Sequence, residues 1–242
     1  VIGMKGAGAA PLEFYNRGVI HWQLGMGYYS PLPYIAAGWV FALPVLLVDA
    51  ALFASITYWM ANLNPAIDRF FYVVIVCFLL AFTIEGIIRS MAMLVRSLLI
   101  AQNFGPAILM LLLLFGGFFI SPNDIPDYVI WLYWLSPFHF AYEALSINEL
   151  GGTEFGCASD EFQPPNDEPL LNVPFPAGYS GSQICPITNG DIALEIQGFE
   201  SEQKYKWYWL AVLVAWTIVA QLAVLLVATY KRWVPVLFRE QM

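Results

Sequence analysis

Residues 207–230 read WYWLAVLVAWTIVAQLAVLLVATY, 24 consecutive positions without a charge. At 1.5 Å per residue, a helix of this length spans about 36 Å. A bilayer core about 30 Å thick needs roughly 20 mostly apolar residues, so the stretch can cross a membrane with some tilt. The competing reading is a helix buried in a large soluble core. Such helices usually run about 8–20 residues and keep a polar stripe; here only Gln221, Thr217 and Thr229 could supply one. Tyr230-Lys231-Arg232-Trp233 at one end and Trp207-Tyr208-Trp209 at the other have the aromatic and basic character of membrane–water anchors.

Three more stretches pass the same test: about 35–61, interrupted by Pro44 and Asp49; about 70–94, with Glu85 and Arg89 near its end; and about 98–120, containing LLIAQNFGPAILMLLLLFGGFFI. Composition agrees, with 60% of the 242 residues hydrophobic and 12% charged. That charged fraction is about half the usual 25%. Aromatics at 17% exclude a disordered chain. A net charge of −8 argues against a nucleic-acid partner, which requires a basic footprint. The chain opens on Val1 without a signal-peptide pattern and reads as a piece of something longer.

A fifth apolar stretch, residues 128–145 (YVIWLYWLSPFHFAYEAL), is broken by Pro137 after about nine residues. Each half is too short to span, which predicts a re-entrant or interfacial helical pair. The aromatic rings suit headgroup depth. The predicted fold is an all-α polytopic membrane protein with four transmembrane helices, a re-entrant helical pair and an external loop expected to be stapled by a disulfide. Its parts are a cytoplasmic loop at 1–34, three spans within 35–120, an external region at 121–206, a last span at 207–230 and a cytoplasmic tail at 231–242.

Four crossings leave both ends of the chain on one side. Lys5, Arg17, Arg89, Arg96, Lys231, Arg232 and Arg239 fall on that side, against Arg69, Lys204 and Lys206 on the other. The seven-to-three excess makes the termini cytoplasmic. Residues 121–206, which hold 13 of the 18 acids, then face outward. Cys77 lies within a span and reads as a packed thiol. Cys157 and Cys185 both fall in the external segment, where an oxidising compartment permits a disulfide and two free thiols are the alternative. The loop between them is rich in Pro, Gly and Asn.

Catalytic signatures are lacking: the sequence has no phosphate-binding Gly-rich loop, no dinucleotide fingerprint and no Gly-x-Ser-x-Gly elbow. His21 and His139 stand apart without metal-ligand companions and read as interfacial or loop residues, so no metal or catalytic residue is assigned. Asp49, Glu85, Gln102, Asn103 and Gln221 lie within spans. Such groups either face a substrate path or join helices by hydrogen bonds. Glu85 and Arg89, at i and i+4, can share a helix face and pair. Gly116-Gly117 would let another backbone approach closely, and Phe118-Phe119 would mark the outer end of that span, with lipid-facing packing as their alternative role.

Three stretches together resemble one family. Gly25-Met26-Gly27-Tyr28-Tyr29-Ser30-Pro31-Leu32-Pro33-Tyr34, followed by Leu43-Pro44, resembles the start of the third helix of G-subfamily ATP-binding-cassette transporters of the White and pleiotropic-drug-resistance type. Gly116-Gly117-Phe118-Phe119-Ile120 resembles the end of their fifth helix. Ile125-Pro126, Trp131-Leu132-Tyr133-Trp134-Leu135-Ser136-Pro137, Tyr142-Glu143-Ala144-Leu145, Asn148-Glu149-Leu150 and Phe155-Gly156-Cys157 resemble their external re-entrant region. The order and spacing hold over roughly residues 17–233. Two departures stand out: His21-Trp22-Gln23 replaces the basic–acidic pair common before the first motif, and Asn148-Glu149-Leu150 replaces Asn-Glu-Phe.

The resemblance implies spans three to six of a six-helix ABC-2-type domain. It implies export of amphipathic, lipid-like or xenobiotic molecules, driven by ATP and Mg on a separate nucleotide-binding domain, with no cofactor and no enzymatic site in this chain. The partners implied are membrane lipid, that nucleotide-binding domain, a second transmembrane domain (homodimer or pseudo-dimer) and a hydrophobic small molecule. Met110 would line the cavity, Leu111 and Leu114 would neighbour it, and Phe118 with Phe119 would close it. The family's external disulfide maps onto Cys157 and Cys185, and its usual place is the plasma membrane. A glycan or lipid exporter of ABC-2 type and a non-transport membrane protein displaying its external loop are the alternative readings.

Overall fold

The computed structural model describes residues 19–20, 22–23, 26–95, 98–120, 125–155, 189–199 and 202–232. Helix α1 spans Pro31–Met60, α2 Ile67–Leu94, α3 Leu98–Leu114, α4 Ile130–Leu135, α5 Pro137–Leu150, α6 Gly190–Ile196 and α7 Tyr205–Arg232. The described residues form no strand beyond an isolated bridge between Glu154 and Asn189.

Ser30 is extended and Pro31 opens α1, a position where the missing N–H costs nothing. The helix runs through Pro44 and ends where Asn62 adopts a left-handed φ of 50°. There the Leu63 N–H donates to the Tyr58 carbonyl (3.2 Å), satisfying a terminal acceptor. Asp68 stands in the first turn of α2, where a negative charge complements the helix dipole.

Helix α2 is the hub, with α7, α1, α5 and α3 packed around it. Tyr72 and Val76 of α2 meet Ala141 and Ala144 of α5 and Leu213 of α7 in one buried cluster. Ile84, Ile88 and Ala92 meet Leu109 of α3 in a second. Outside this core, α1 exposes a long uncharged face, with Phe41 77% accessible. A soluble protein rarely exposes such a surface; in a bilayer it faces hydrocarbon at no cost.

Among the described residues, three helices (α1, α2 and α7) are long and apolar enough to cross a membrane. The span expected at 98–120 is not one uninterrupted helix. Its helical part is 17 residues, roughly 25 Å, and residues 115–120 continue as turns and bends. The cause is Gly116-Gly117: Gly117 takes a φ of +86°, incompatible with helix continuation.

The broken stretch at 128–145 does form a helical pair. Ser136 is extended and Pro137 opens α5, since proline pushes its predecessor out of helical geometry. His139 does not lie in a loop: it sits on α5 and is 1% exposed. Its ring centroid is 3.8 Å from Tyr133 and 5.6 Å from Trp209, because α5 lies against α2 and α7 and leaves this face no route to water.

Candidate functional site

Helix α3 has two distinct faces. Leu109 and Leu112 are each 7% exposed and turn inward, while Met110 is 75% exposed. At 100° per residue, Asn103, Met110 and Leu114 fall within about 20° of one line, and all three are exposed. Leu111 lies to one side of that line and is also exposed. The stripe is one amide followed by apolar side chains.

At the top of the stripe the chain turns. The Phe115 N–H donates to the Leu111 carbonyl (3.2 Å) and the Gly116 N–H to the Leu113 carbonyl (3.1 Å). Leu112's carbonyl, left without an intrahelical partner, accepts from the Ser136 hydroxyl at 2.7 Å. A Cβ at Gly116 would sit 3.0 Å from Phe138 Cβ, and one at Gly117 would sit 3.3 Å from Tyr133 Cε2. What approaches Gly116-Gly117 closely is not another backbone but the side chains of the α4–α5 hairpin, Phe138 and Tyr133. This contact fixes where the chain emerges and so aims Phe118 and Phe119.

Those two rings meet edge to face, with centroids 5.0 Å apart at 88°, and are 64% and 61% exposed. Phe118 also meets Tyr142 of α5 edge to face at 5.6 Å. Thus Met110, Leu111, Leu114, Phe118 and Phe119 are all exposed apolar side chains, carried by α3 and by the turn that follows it.

The polar residues within the spans divide. Gln221 is a joint between helices: the Trp39 indole N–H donates to its Oε1 (2.8 Å), and its Nε2 donates to the Phe82 carbonyl (2.9 Å). Three helices (α1, α2 and α7) meet at this one amide. Asp49 on α1 and Glu85 on α2 are half-buried. Arg89 is buried, its guanidinium 5.8 Å above the Tyr34 ring and against Gly38 of α1. Asn103 alone among the candidates joins the exposed stripe of α3. The Gln102 side chain, His21, Cys157 and Cys185 lie outside the described residues. Cys77 is buried with a free thiol.

A polar junction that sequence reasoning did not find closes the far end of α5. Arg69, at the start of α2, donates to the Glu149 carbonyl (3.0 Å) and the Gly151 carbonyl (3.2 Å). Asn148 Nδ2 returns a bond to the Arg69 carbonyl (3.2 Å), and Gln203 Nε2 donates to Gly151 (2.8 Å). Burial holds the Glu149 carboxyl above the usual carboxylate range, against the opposing pull of Asn148 and Arg69. The Asn148-Glu149-Leu150 motif therefore terminates α5 and locks it to α2. The sequence signal was the motif itself, but nothing in it named Arg69 as the partner. Among the described residues no group of three or more His, Cys, Asp or Glu could hold a metal ion.

Residues 2–150 match the family described as ABC-2 type transporter, well over half of the chain. The chain is 33% identical over 205 residues, 85% of its length, to ABC transporter G family member 5 of Dictyostelium discoideum, of which this covers 14%. It is 34% identical over 197 residues to ABC transporter G family member 3 of the same organism, covering 81% of this chain and 14% of that one. Against ABC transporter G family member 31 of Arabidopsis thaliana, identity is 25% over 226 residues, 93% of this chain and 14% of that one. The chain thus spans about one seventh of the length of these relatives. Three helices of crossing length and this membership make it a multi-pass integral membrane protein. The chain belongs to the ABC-2 type transporters, in the membrane part of the G-subfamily of ATP-binding-cassette transporters.

Proposed function

We propose that this chain forms one wall and the outer gate of the substrate path in an ATP-driven exporter of amphipathic, lipid-like or xenobiotic molecules. The observation that carries the reading is the row from Asn103 through Met110 and Leu114 to the crossed rings of Phe118 and Phe119, apolar beyond the first amide and exposed among the described residues. Apolar substrate binds such a wall by removing area from water, at roughly 25 cal/mol per Å². Met110 adapts its shape to different ligands, so selectivity is loose. A second transmembrane domain, from a homodimer or pseudo-dimer, faces this surface and completes the cavity. The two Phe rings keep water out from above until the helices separate.

In this reading the fourth crossing is made by α3 together with residues 115–120. The termini are cytoplasmic, residues 121–206 lie outside the plasma membrane, and Cys157 pairs with Cys185. ATP and Mg bind a nucleotide-binding domain of the parent protein, which contacts the cytoplasmic side.

The test is the Phe118→Ala/Phe119→Ala double variant of the full-length protein in lipid, assayed for transport and basal ATPase. Loss of transport with altered basal ATPase is expected; if neither changes, the gate is elsewhere. Non-reducing mass mapping of mature protein checks the cysteine pairing, and two free thiols would remove it.

A further inference from the structure

Phe118 is a large ring, mostly exposed, at the end of a turn. A gate residue so placed needs something to hold it. Of its two ring contacts among the described residues, Phe119 is as exposed as Phe118 and leads nowhere. The other leads inward. Tyr142 meets Phe118 edge to face at 5.6 Å on one side and Phe199 at 5.5 Å on the other. Phe199 is 4% exposed and packed with Ile147 of α5 and Leu194 of α6. Its N–H donates to the Leu194 carbonyl at 2.9 Å, which closes the end of α6. The Tyr142 hydroxyl donates to Gln197 Oε1, also at the end of α6, at 3.2 Å. Tyr142 itself rides on α5 between Ala141 and Ala144, both buried against α2 and α7.

We propose that Tyr142 is the positioning residue for Phe118, joining the outer gate to the segment that ends in Gln197 and Phe199. The proposal rests on Phe118 being a gate residue, as argued above. Edge-to-face geometry makes the link directional: a ring held by near-perpendicular partners on two sides transmits a tilt as well as a shift. Any movement of α5 and α6 relative to α3 therefore swings Phe118, and the state of the external segment is read at the mouth of the path. The Gln197 bond fixes the tilt of Tyr142, whereas its ring contacts do the positioning.

The test uses the full-length protein in lipid vesicles with Phe119→Cys as a probe, since Phe118 covers one side of that position. Modification by an external thiol reagent is read by mass spectrometry on the peptide bearing position 119. Tyr142→Ala should speed modification roughly two- to tenfold, the shift that loss of one such ring pair carries. Tyr142→Phe, which keeps the ring, should stay near the parent rate. Tyr142→Leu, which keeps bulk without an aromatic edge, should follow Tyr142→Ala and serves if the alanine variant does not fold. Equal rates in all variants, or equal acceleration in Tyr142→Phe and Tyr142→Ala, would overturn the proposal. This readout does not depend on transport. If the double alanine variant at 118 and 119 transports normally, the gate falls, while the labelling rates still decide whether Tyr142 positions Phe118.

Discussion

The hydroxyl oxygens of Thr83 and Thr217 lie 2.7 Å apart across the crossing of α2 and α7. Each hydroxyl also approaches a carbonyl of its own helix, Leu79 at 2.8 Å and Leu213 at 2.9 Å. Two protons serve three contacts, so one threonine donates to its partner while the other donates to its own backbone. In lipid no water competes for this bond, yet such pairs are worth only about 0.6 kcal/mol on average.

Thr83→Val and Thr217→Val should each cost roughly 0.5–1.5 kcal/mol. The double variant should cost less than their sum, because either change alone already removes the pair. Thermal unfolding of the detergent-purified protein measures all three. Strict additivity would show that the hydroxyls act only on their own helices.

Gln221 predicts a larger effect. A Cβ at Gly86 would lie 2.9 Å from Gln221 Nε2 and 3.2 Å from Ala220 Cβ, so only glycine leaves room for the amide to reach the Phe82 carbonyl. Gln221→Leu strands the Trp39 indole N–H and should cost about 1–3 kcal/mol. Gly86→Val should cost at least as much by forcing α2 and α7 apart. Both are read as lowered thermal midpoints and reduced yield of folded protein. A Gly86→Val protein as stable as the parent would contradict the packing described.

The crossing helices are legible in sequence because lipid imposes a simple demand: about 20 apolar residues with every backbone group satisfied internally. Residues 207–230 meet it alone, and α7 follows. The break at Pro137 is equally legible, since proline acts on its immediate neighbour. Hydropathy misplaces the end of α3, because Phe118 and Phe119 are as apolar as the residues before them while the local backbone at Gly117 decides the turn. His139, Gln221 and Arg69 depend on residues 70 or more positions away. Their roles, a packed ring, a joint between helices and a cap, need the fold before they can be read. Met110, Leu111 and Leu114 are placed from the sequence only through the resemblance; the alignment of Met110 and Leu114 with Asn103 on one line of α3, and their exposure, need the fold.

Glu149 gives a pH-dependent prediction. Burial favours the neutral carboxyl, so its folded-state value lies above the 4.5 of an ordinary glutamate. The unfolded chain then releases the proton at lower pH than the folded one. Stability from this group is highest below the ordinary value and falls as pH rises through the raised one. Glu149→Gln removes the titration and keeps an acceptor for Asn148 Nδ2, which now donates to Glu149 Oε1 at 2.9 Å. The variant should melt higher than the parent near neutral pH, and the gap should close toward about pH 4. A variant less stable at neutral pH would mean that the pull of Arg69 on the carboxylate outweighs burial.

Gly117 separates the turn from the rings it carries. Its φ of +86° lies in the region that side-chain-bearing residues adopt only at a cost of about 1–3 kcal/mol. Gly117→Ala also places a Cβ 3.3 Å from Tyr133 Cε2 and 3.9 Å from Tyr142 Cδ1. The turn can relieve both by reverting toward helix, which would carry Phe118 away from Tyr142. Gly117→Ala should therefore lose about 1–3 kcal/mol of stability and also impair transport at matched protein level. Gly116→Ala provides the contrast. The conflict there is with Phe138 Cβ at 3.0 Å, and its backbone has no positive φ, so packing suffers without redirecting the chain. Transport per folded molecule should fall in Gly117→Ala and hold nearer the parent level in Gly116→Ala. If both variants lose stability and transport in the same proportion, the turn at Gly117 has no role beyond packing.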